Sequence, residues 1–256
     1  MIMIETKLVD SMGSDLSVVN AARVSFDKVS DWEYEYVEDV DLDSRTIITA
    51  KVPKKLKSSD ERLIAFLARE NHWTPFGHAS ISVHVKAPIF VARQLGKHQV
   101  GLVWNEVSRR YVDSPPEFYY PENWRARNID KKQGSHEDQF VESIEIQNLI
   151  CRDFNGNLWP AENITTRNLV ERTVGSCINT YQLLLDAGVC PEQARMVLPQ
   201  NMMTEWYWSG SLIAFARVCN LRLKKDTQKE TRLVAEQIDT ILAELFPISW
   251  KYLKKI

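Results

Sequence analysis

Between Ala79 and Lys86 the chain alternates without a break: Ala79, Ile81, Val83 and Val85 are apolar, while Ser80, Ser82, His84 and Lys86 are polar. A period of two over that length fits a strand buried on one face and does not fit a helix. Pro88 comes next, a residue suited to the first turn of a helix, and Ile89, Phe90, Val91 and Leu95 then recur at helical spacing. Together they predict a half-buried strand that turns directly into a short helix. The segment beyond Leu95 is therefore anchored at the end of a packed unit.

That segment is chemically dense. Residues 93–111 read RQLGKHQVGLVWNEVSRRY. Arginine presents a planar fork of donors that matches carboxylate or phosphate, while Asn, Gln and Ser can read the donor and acceptor edges of a heterocycle. The set suits a phosphorylated, ring-bearing small molecule. The plainer reading is that some of these charges coat a helix end.

Bulk properties narrow the classes. The chain has 256 residues, enough to bury a core without disulfides or metals, and we read it as a single catalytic domain, 1–256. With 32 basic against 34 acidic residues, the net charge of -2 gives no general attraction to nucleic acid or to a membrane surface. Cys151, Cys177, Cys190 and Cys219 are widely spaced, form no metal-ligand pattern, and read as reduced thiols of a cytoplasmic protein. The N-terminus MIMIETKLVD lacks a secretory pattern, and no run approaches a membrane span.

Along the rest of the chain, residues 2–9 read as a strand and 16–24 as a helix ending in AARVS. Residues 26–57, acidic and aromatic and then basic, read as a peripheral insertion, with 45–52 as one strand of a hairpin. The S-x-x-E of Ser58 to Glu61 has the form of a capping box opening a helix over 60–71. His72 and His78 stand six apart across a proline turn, a poor spacing for a metal, and no metal is expected. Residues 123–156 are polar and weakly periodic, a loop with a short helix at 139–149. A long apolar stripe over 165–187, closed by Gly188, predicts a core helix packed on a final helix at 227–245.

At residues 93–111 the chain resembles the flavin-dependent thymidylate synthases. Their signature runs RHR, seven residues, then Ser, embedded as RQ…RHR…NE.S.RY. Arg93-Gln94, Asn105-Glu106, Ser108 and Arg110-Tyr111 match, while Lys97-His98-Gln99 stands in place of RHR. Eight residues rather than seven separate Gln99 from Ser108, an extra residue for which Gly101 offers the backbone freedom. His72, Thr74, Pro75, Phe76 and His78 match the family's H-x-T-P-F-x-H turn, with Gly77 where a glutamate is usual, and EFYYP at 117–121 is similar to a family strand end. PEQARMVLPQNMMTEWYWSGSLIAFARVCNLRL resembles the AR.VLP.N…T…W…F…R segment, with Ser211 and Ile213 where Asn and Arg are common.

The resemblance implies an α/β (α+β) fold, a mostly antiparallel sheet packed with helices and assembled as a homotetramer with sites between subunits. It implies FAD as cofactor, and reductive methylation of dUMP using methylenetetrahydrofolate and NADPH. Carried over position by position, Gln94, Glu106, Val107, Ser108, Arg109, Arg110, Arg195 and Arg222 would bind dUMP, with Arg222 catalytic. Ser25, His72, Thr74, Lys97, His98, Gln99, Asn105, Glu106, Ser211, Arg217 and Leu221 would contact FAD. Because the departures gather at flavin-facing positions, two other outcomes stay open: hydroxymethylation of a pyrimidine deoxynucleotide, dUMP or dCMP, and a non-catalytic nucleotide-binding homologue.

Overall fold

A computed structural model describes residues 3–41, 46–111, 114–129, 134–144 and 164–255, and between residues 35 and 54 it describes the backbone alone. In chain order the elements are β1 (Glu5–Met12), α1 (Asp15–Arg23), β2 (Glu33–Asp41), β3 (Thr46–Lys55), α2 (Ser58–Arg69), β4 (Ser80–Pro88), α3 (Ile89–Leu95), β5 (Leu102–Glu106), β6 (Arg125–Arg127), β7 (Ser135–Phe140), β8 (Ser143–Ile144), β9 (Ile164–Thr165), α4 (Thr166–Asp186), α5 (Pro191–Ala194), β10 (Met203–Ser211), α6 (Leu212–Arg222), α7 (Lys229–Leu245) and α8 (Pro247–Leu253).

Four strands form the principal sheet, in the order β1-β4-β10-β5, with every neighbour antiparallel. The antiparallel sheet packed with helices is the architecture expected. β4 carries the alternation read from its sequence: Ile81, Val83, Val85 and Ala87 are buried, while Ser82, His84 and Lys86 face outward and are half covered. His84 Nε2 lies 3.1 Å and Lys86 Nζ 3.5 Å from Glu205 of β10, and Lys86 also lies 2.6 Å from Glu117, so the outer face carries polar pairs. Pro88 ends the strand and serves as the N-cap of α3. On the inner face β4 and β10 meet α3 and α6, and α7 closes over α6.

Within 26–57, β2 and β3 pair antiparallel with each other in a two-stranded sheet separate from this one. The S-x-x-E segment does not form the capping box: α2 already begins at Ser58, and its N-cap is Lys57, which makes no side-chain cap. Its acids are used in tertiary contacts instead. Asp60 is fully buried and accepts from Arg23 of α1 and from the Ser30 hydroxyl, while Glu61 accepts from Lys251 at 3.1 Å and Tyr252 at 3.0 Å.

Two expectations are corrected. The helix at 139–149 is not found among the described residues: Gln139 and Phe140 belong to β7, which pairs with β6, and residues 145–149 lie outside them, as does Cys151. The strand arises where charge is neutralised across elements, with Arg125 of β6 donating to Glu230 of α7 at 2.9 Å and to Ser135 of β7 at 2.7 Å. The stripe of α4 is also not a core face packed on α7. Val174 and Tyr181 are buried, but Leu169, Val170, Ile178, Leu184 and Leu185 are not, and Leu183 is 52% exposed. α4 meets α5, the turn after it, and a small satellite cluster of Phe118, Val174 and Met202, whereas α7 packs on α6, α8, β1 and α3.

Asp15 joins the two ends of the chain. Its carboxylate oxygens accept the N–H groups of Ile248 at 2.9 Å and Ser249 at 2.8 Å, capping α8 from the first turn of α1. Replacing Asp15 by Ala leaves two donors at a buried helix start without a partner. We expect a loss of roughly 2–3 kcal/mol of stability, read as a lower urea midpoint, with the flavin content per folded chain unchanged.

Candidate active site

Arg222 ends α6 and is half buried. Its Nε donates to His98 Nε2 at 3.0 Å, and its Nη2 approaches the Gln94 carbonyl oxygen at 3.5 Å. Burial holds the Arg222 pKa below its ordinary value. Burial first, and the Arg222 cation second, hold the His98 pKa below the usual imidazole range. Since arginine has only donors, His98 Nε2 must carry a lone pair at this contact.

Gln94 and Arg222 line a cavity of about 490 Å³ together with Leu221, Thr227 and Gln228. Gln94 Nε2 lies at 3.5 Å from Gln228 Oε1, and Gln94 Oε1 is buried without a partner among the described residues. Gln228, the N-cap of α7, was not singled out from the sequence. The one signal there was a helix start, which gives no hint that a second amide faces Gln94.

In the loop between α3 and β5, Gly101 has a φ of +76, a backbone conformation that glycine adopts readily. Its carbonyl accepts from the Ser211 N–H at 3.3 Å, so the signature loop is tied to the start of α6. Gln99 and Asn105 are exposed, as is Arg217 on α6, and Leu221 is 45% exposed. Beyond the loop, Glu106 accepts from Thr204 Oγ1 at 2.7 Å and from Trp104 Nε1 at 3.2 Å, and the Val107 N–H donates to the Glu205 carbonyl at 2.9 Å. Those groups are committed to the fold. Arg109 donates to the carbonyls of Ser114 and Pro115. Arg110 donates to Ser108 Oγ at 3.1 Å and lies over the Tyr111 ring at 4.8 Å.

Ser25, His72 and Thr74 line a different and larger cavity of about 970 Å³, with Phe26, Phe66 and Trp73 among its walls and Lys28 and Arg62 among its cations. It lies at the upper end of the size range of small-molecule sites, about 300–1,000 Å³. Aromatic walls beside cations suit a large planar ring system that carries phosphate, so these residues fit a flavin dinucleotide. The two cavities share no lining residue. Arg195 is exposed, its Nε donating to the Glu192 carbonyl at 3.3 Å. Among the described residues neither Arg110 nor Arg195 bonds to Arg222. The fold thus joins Gln94, His98, Leu221 and Arg222, and it groups Ser25, His72 and Thr74 separately. No group of three His, Cys, Asp or Glu among the described residues could share a metal ion, and no helix among them is long and apolar enough to cross a membrane.

Comparison with known proteins bears directly on this arrangement. The family described as Thymidylate synthase complementing protein, Thy1, matches residues 7–248. A flavin-dependent thymidylate synthase of Thermus thermophilus is 34% identical over 244 residues, covering 95% of this chain and 73% of that relative. The enzyme of the same description from Thermosipho africanus is 32% identical over 241 residues, covering 94% and 86%. Among solved structures, the UMP/dUMP methylase PolB from Streptomyces cacaoi, bound with 5-Br dUMP, superposes with a TM-score of 0.68 at 28% identity, over 97% of this chain and 93% of its own. With 5-Br UMP bound, PolB gives a TM-score of 0.66 at the same 28% identity, over 97% and 92%. The chain belongs to the flavin-dependent thymidylate synthase family.

Gly101 offers a direct check on the loop. A Cβ there would lie 3.1 Å from Ala214 Cβ on a backbone with positive φ. Replacing Gly101 by Ala is expected to cost roughly 1–2 kcal/mol from the left-handed backbone alone, seen as a lower melting temperature. Because Gly101 ties the loop to α6, bound flavin per chain should fall as well, measured by absorbance after gel filtration.

Proposed function

We propose that this protein catalyses the flavin-dependent reductive methylation of dUMP to dTMP, with methylenetetrahydrofolate as carbon donor and NADPH as reductant, in a homotetramer whose sites lie between subunits. The observation that carries this reading is the junction of Arg222 with Gln94 and His98. Residues from two distant segments meet at one cavity, with a guanidinium already held by internal acceptors.

The pyrimidine C5 is a weak nucleophile until negative charge on the ring carbonyls and N3 is stabilised. Arg222 is the cation for that role, placed at a half-buried site where its field is screened less than at the surface. Gln94 reads the pyrimidine edge through its side-chain amide, at the wall of the cavity that Arg222 also lines. Ser108, Arg110 and Arg195 hold the phosphate, the last two offering exposed guanidinium groups with free donors. The bound flavin supplies the hydride. Ser25, His72 and Thr74 would hold it, with Lys97, Gln99, Asn105, Ser211, Arg217 and Leu221 contributing from the signature loop and α6, and the separation of these residues from the cavity at Ser25, His72 and Thr74 supports a flavin shared between neighbouring chains.

Among the described cysteines, covalent catalysis finds no support. Cys219 is fully buried and its thiol pKa is pushed far up by burial, the opposite of an activated nucleophile, and neither Cys177 nor Cys190 lines the cavity at Arg222. The structural likeness to PolB supports offering UMP beside dUMP as substrate. The departures at Lys97, Gln99, Gly77, Ser211 and Ile213 keep hydroxymethylation, with water in place of hydride, as the second reading.

The test is dUMP-dependent NADPH oxidation by FAD-loaded protein, followed by the mass of the product. A methyl increment is expected, and a hydroxymethyl increment would establish the second reading instead. Replacing Arg222 by Ala should lower kcat by about 10²–10³ while the protein still folds and takes up FAD. Replacing Cys151, Cys177 and Cys190 by Ser and Cys219 by Ala should leave turnover measurable, and abolished chemistry in that folded variant would argue for a thiolate.

A further inference from the structure

The arrangement around Arg222 goes beyond its assignment as the catalytic cation, and the inference drawn from it rests on that assignment. An arginine side chain has about 2 kcal/mol of rotamer entropy to lose before its donors point at one place. At the end of α6 that freedom is already restricted: Nε is bonded to His98 Nε2 at 3.0 Å, and Nη2 faces the Gln94 carbonyl at 3.5 Å. The guanidinium has five N–H donors. Two are directed at acceptors of the signature segment, and the others remain for a ligand in the cavity that Arg222 lines. His98 is itself held from behind, its backbone N–H donating to the Leu95 carbonyl at 2.9 Å.

We propose that His98 is the positioning residue for Arg222, a neutral imidazole whose Nε2 lone pair fixes the guanidinium plane so that its free donors meet the pyrimidine. The edge of His98 facing Arg222 is thereby committed to protein, and any contact with flavin falls to its face or to Nδ1. The chemistry explains why a histidine can remain between Lys97 and Gln99 although both of its neighbours depart from the family signature: His98 is half buried and has an internal partner at Arg222. Chemically, only an acceptor will serve here. A protonated imidazole, or a lysine or arginine at this position, would set a cation against a cation.

Replacing His98 by Leu removes the acceptor, and replacing it by Gln puts a carbonyl oxygen near the place of Nε2. Both are compared with the parent in three measurements: calorimetric binding of dUMP to flavin-free protein, flavin bound per chain, and kcat with KM for dUMP. For His98→Leu we expect dUMP affinity to fall about tenfold, the effect of one lost hydrogen bond to a charged group, and kcat to fall by at least as much, with flavin content kept. His98→Gln should recover most of both. In an Arg222→Ala background, His98→Leu should add little, because the residue acts through Arg222.

Three results would overturn the assignment: undiminished dUMP binding and kcat in His98→Leu, a loss of flavin with dUMP affinity kept, or a full additional loss on top of Arg222→Ala. A parent protein that binds neither dUMP nor UMP would remove the functional reading first and this assignment with it. That arm separates the two failures.

Discussion

The pairing of β10 with β4 sets the rest of the structure. Each strand passes without a loop into a helix, β4 into α3 and β10 into α6, and because the strands are antiparallel the helices start from opposite ends of the pair. Met203 lies opposite Pro88 and Ser211 opposite Ser80, so nine residues of strand, about 30 Å, separate the two starting points. Both helices fold back over the same sheet face. The eleven residues of α6 span about 16 Å and the seven of α3 about 10 Å, so helices running toward each other nearly consume the interval. Their C-terminal ends must then come close together, and the contacts of Arg222 with Gln94 and His98 are that meeting.

Two close approaches hold this geometry on the β5 side. A Cβ on Gly210 would come within 2.6 Å of the Gly101 carbonyl and 2.4 Å of Leu102 Cδ2, so only glycine lets β10 pass the signature loop at that distance. Next to it Trp104 of β5 stacks on Trp206 of β10 at 4.3 Å, and Trp208 meets Phe215 of α6 edge-on at 5.2 Å. The aromatic block therefore couples the strand carrying Asn105 and Glu106 to the helix carrying Arg222. Gln237 of α7 adds the far side, accepting from the Thr6 N–H at 2.7 Å and donating to the Ile4 carbonyl at 3.3 Å, which clamps β1 against the helical layer.

The elements that could be read from the sequence were those whose pattern has one cause. β4 alternates because one face is buried, and α3 comes directly after it because Pro88 is both a strand end and a helix N-cap. Gly101 could be named because a glycine in a loop between a helix and a strand is free to take backbone that other residues resist, and its φ is +76. Patterns with two causes failed. S-x-x-E at Ser58 marks a helix start, but Asp60 and Glu61 were serving Arg23, Lys251 and Tyr252, partners that sequence spacing does not reveal. The strands β6 and β7, RAR and SHEDQF, have no apolar alternation because Arg125, Glu230 and Ser135 hold them instead of a core. Gln228 was invisible for a similar reason, since its place in the site comes from the packing of α7 on α3 and not from any local signal.

The apolar stripe of α4 shows what periodicity can and cannot say. A stripe specifies a face that is better covered than exposed, without specifying what covers it. On α4 the coverage available from the described residues is a small cluster around Val174, beside which Leu183 is 52% exposed, and Met196 in the turn beyond α5 is 77% exposed. Phe26 and Trp73 at the larger cavity are 76% and 54% exposed, beside Ser25, His72 and Thr74. Apolar groups left open on a stable chain favour association, because burying them removes area worth about 25 cal/mol per Å² from water. Among the described residues, these open surfaces thus flank groups that share no cavity. An assembly of copies would meet both needs at once, and this is the physical argument behind the proposal that the flavin is shared between subunits.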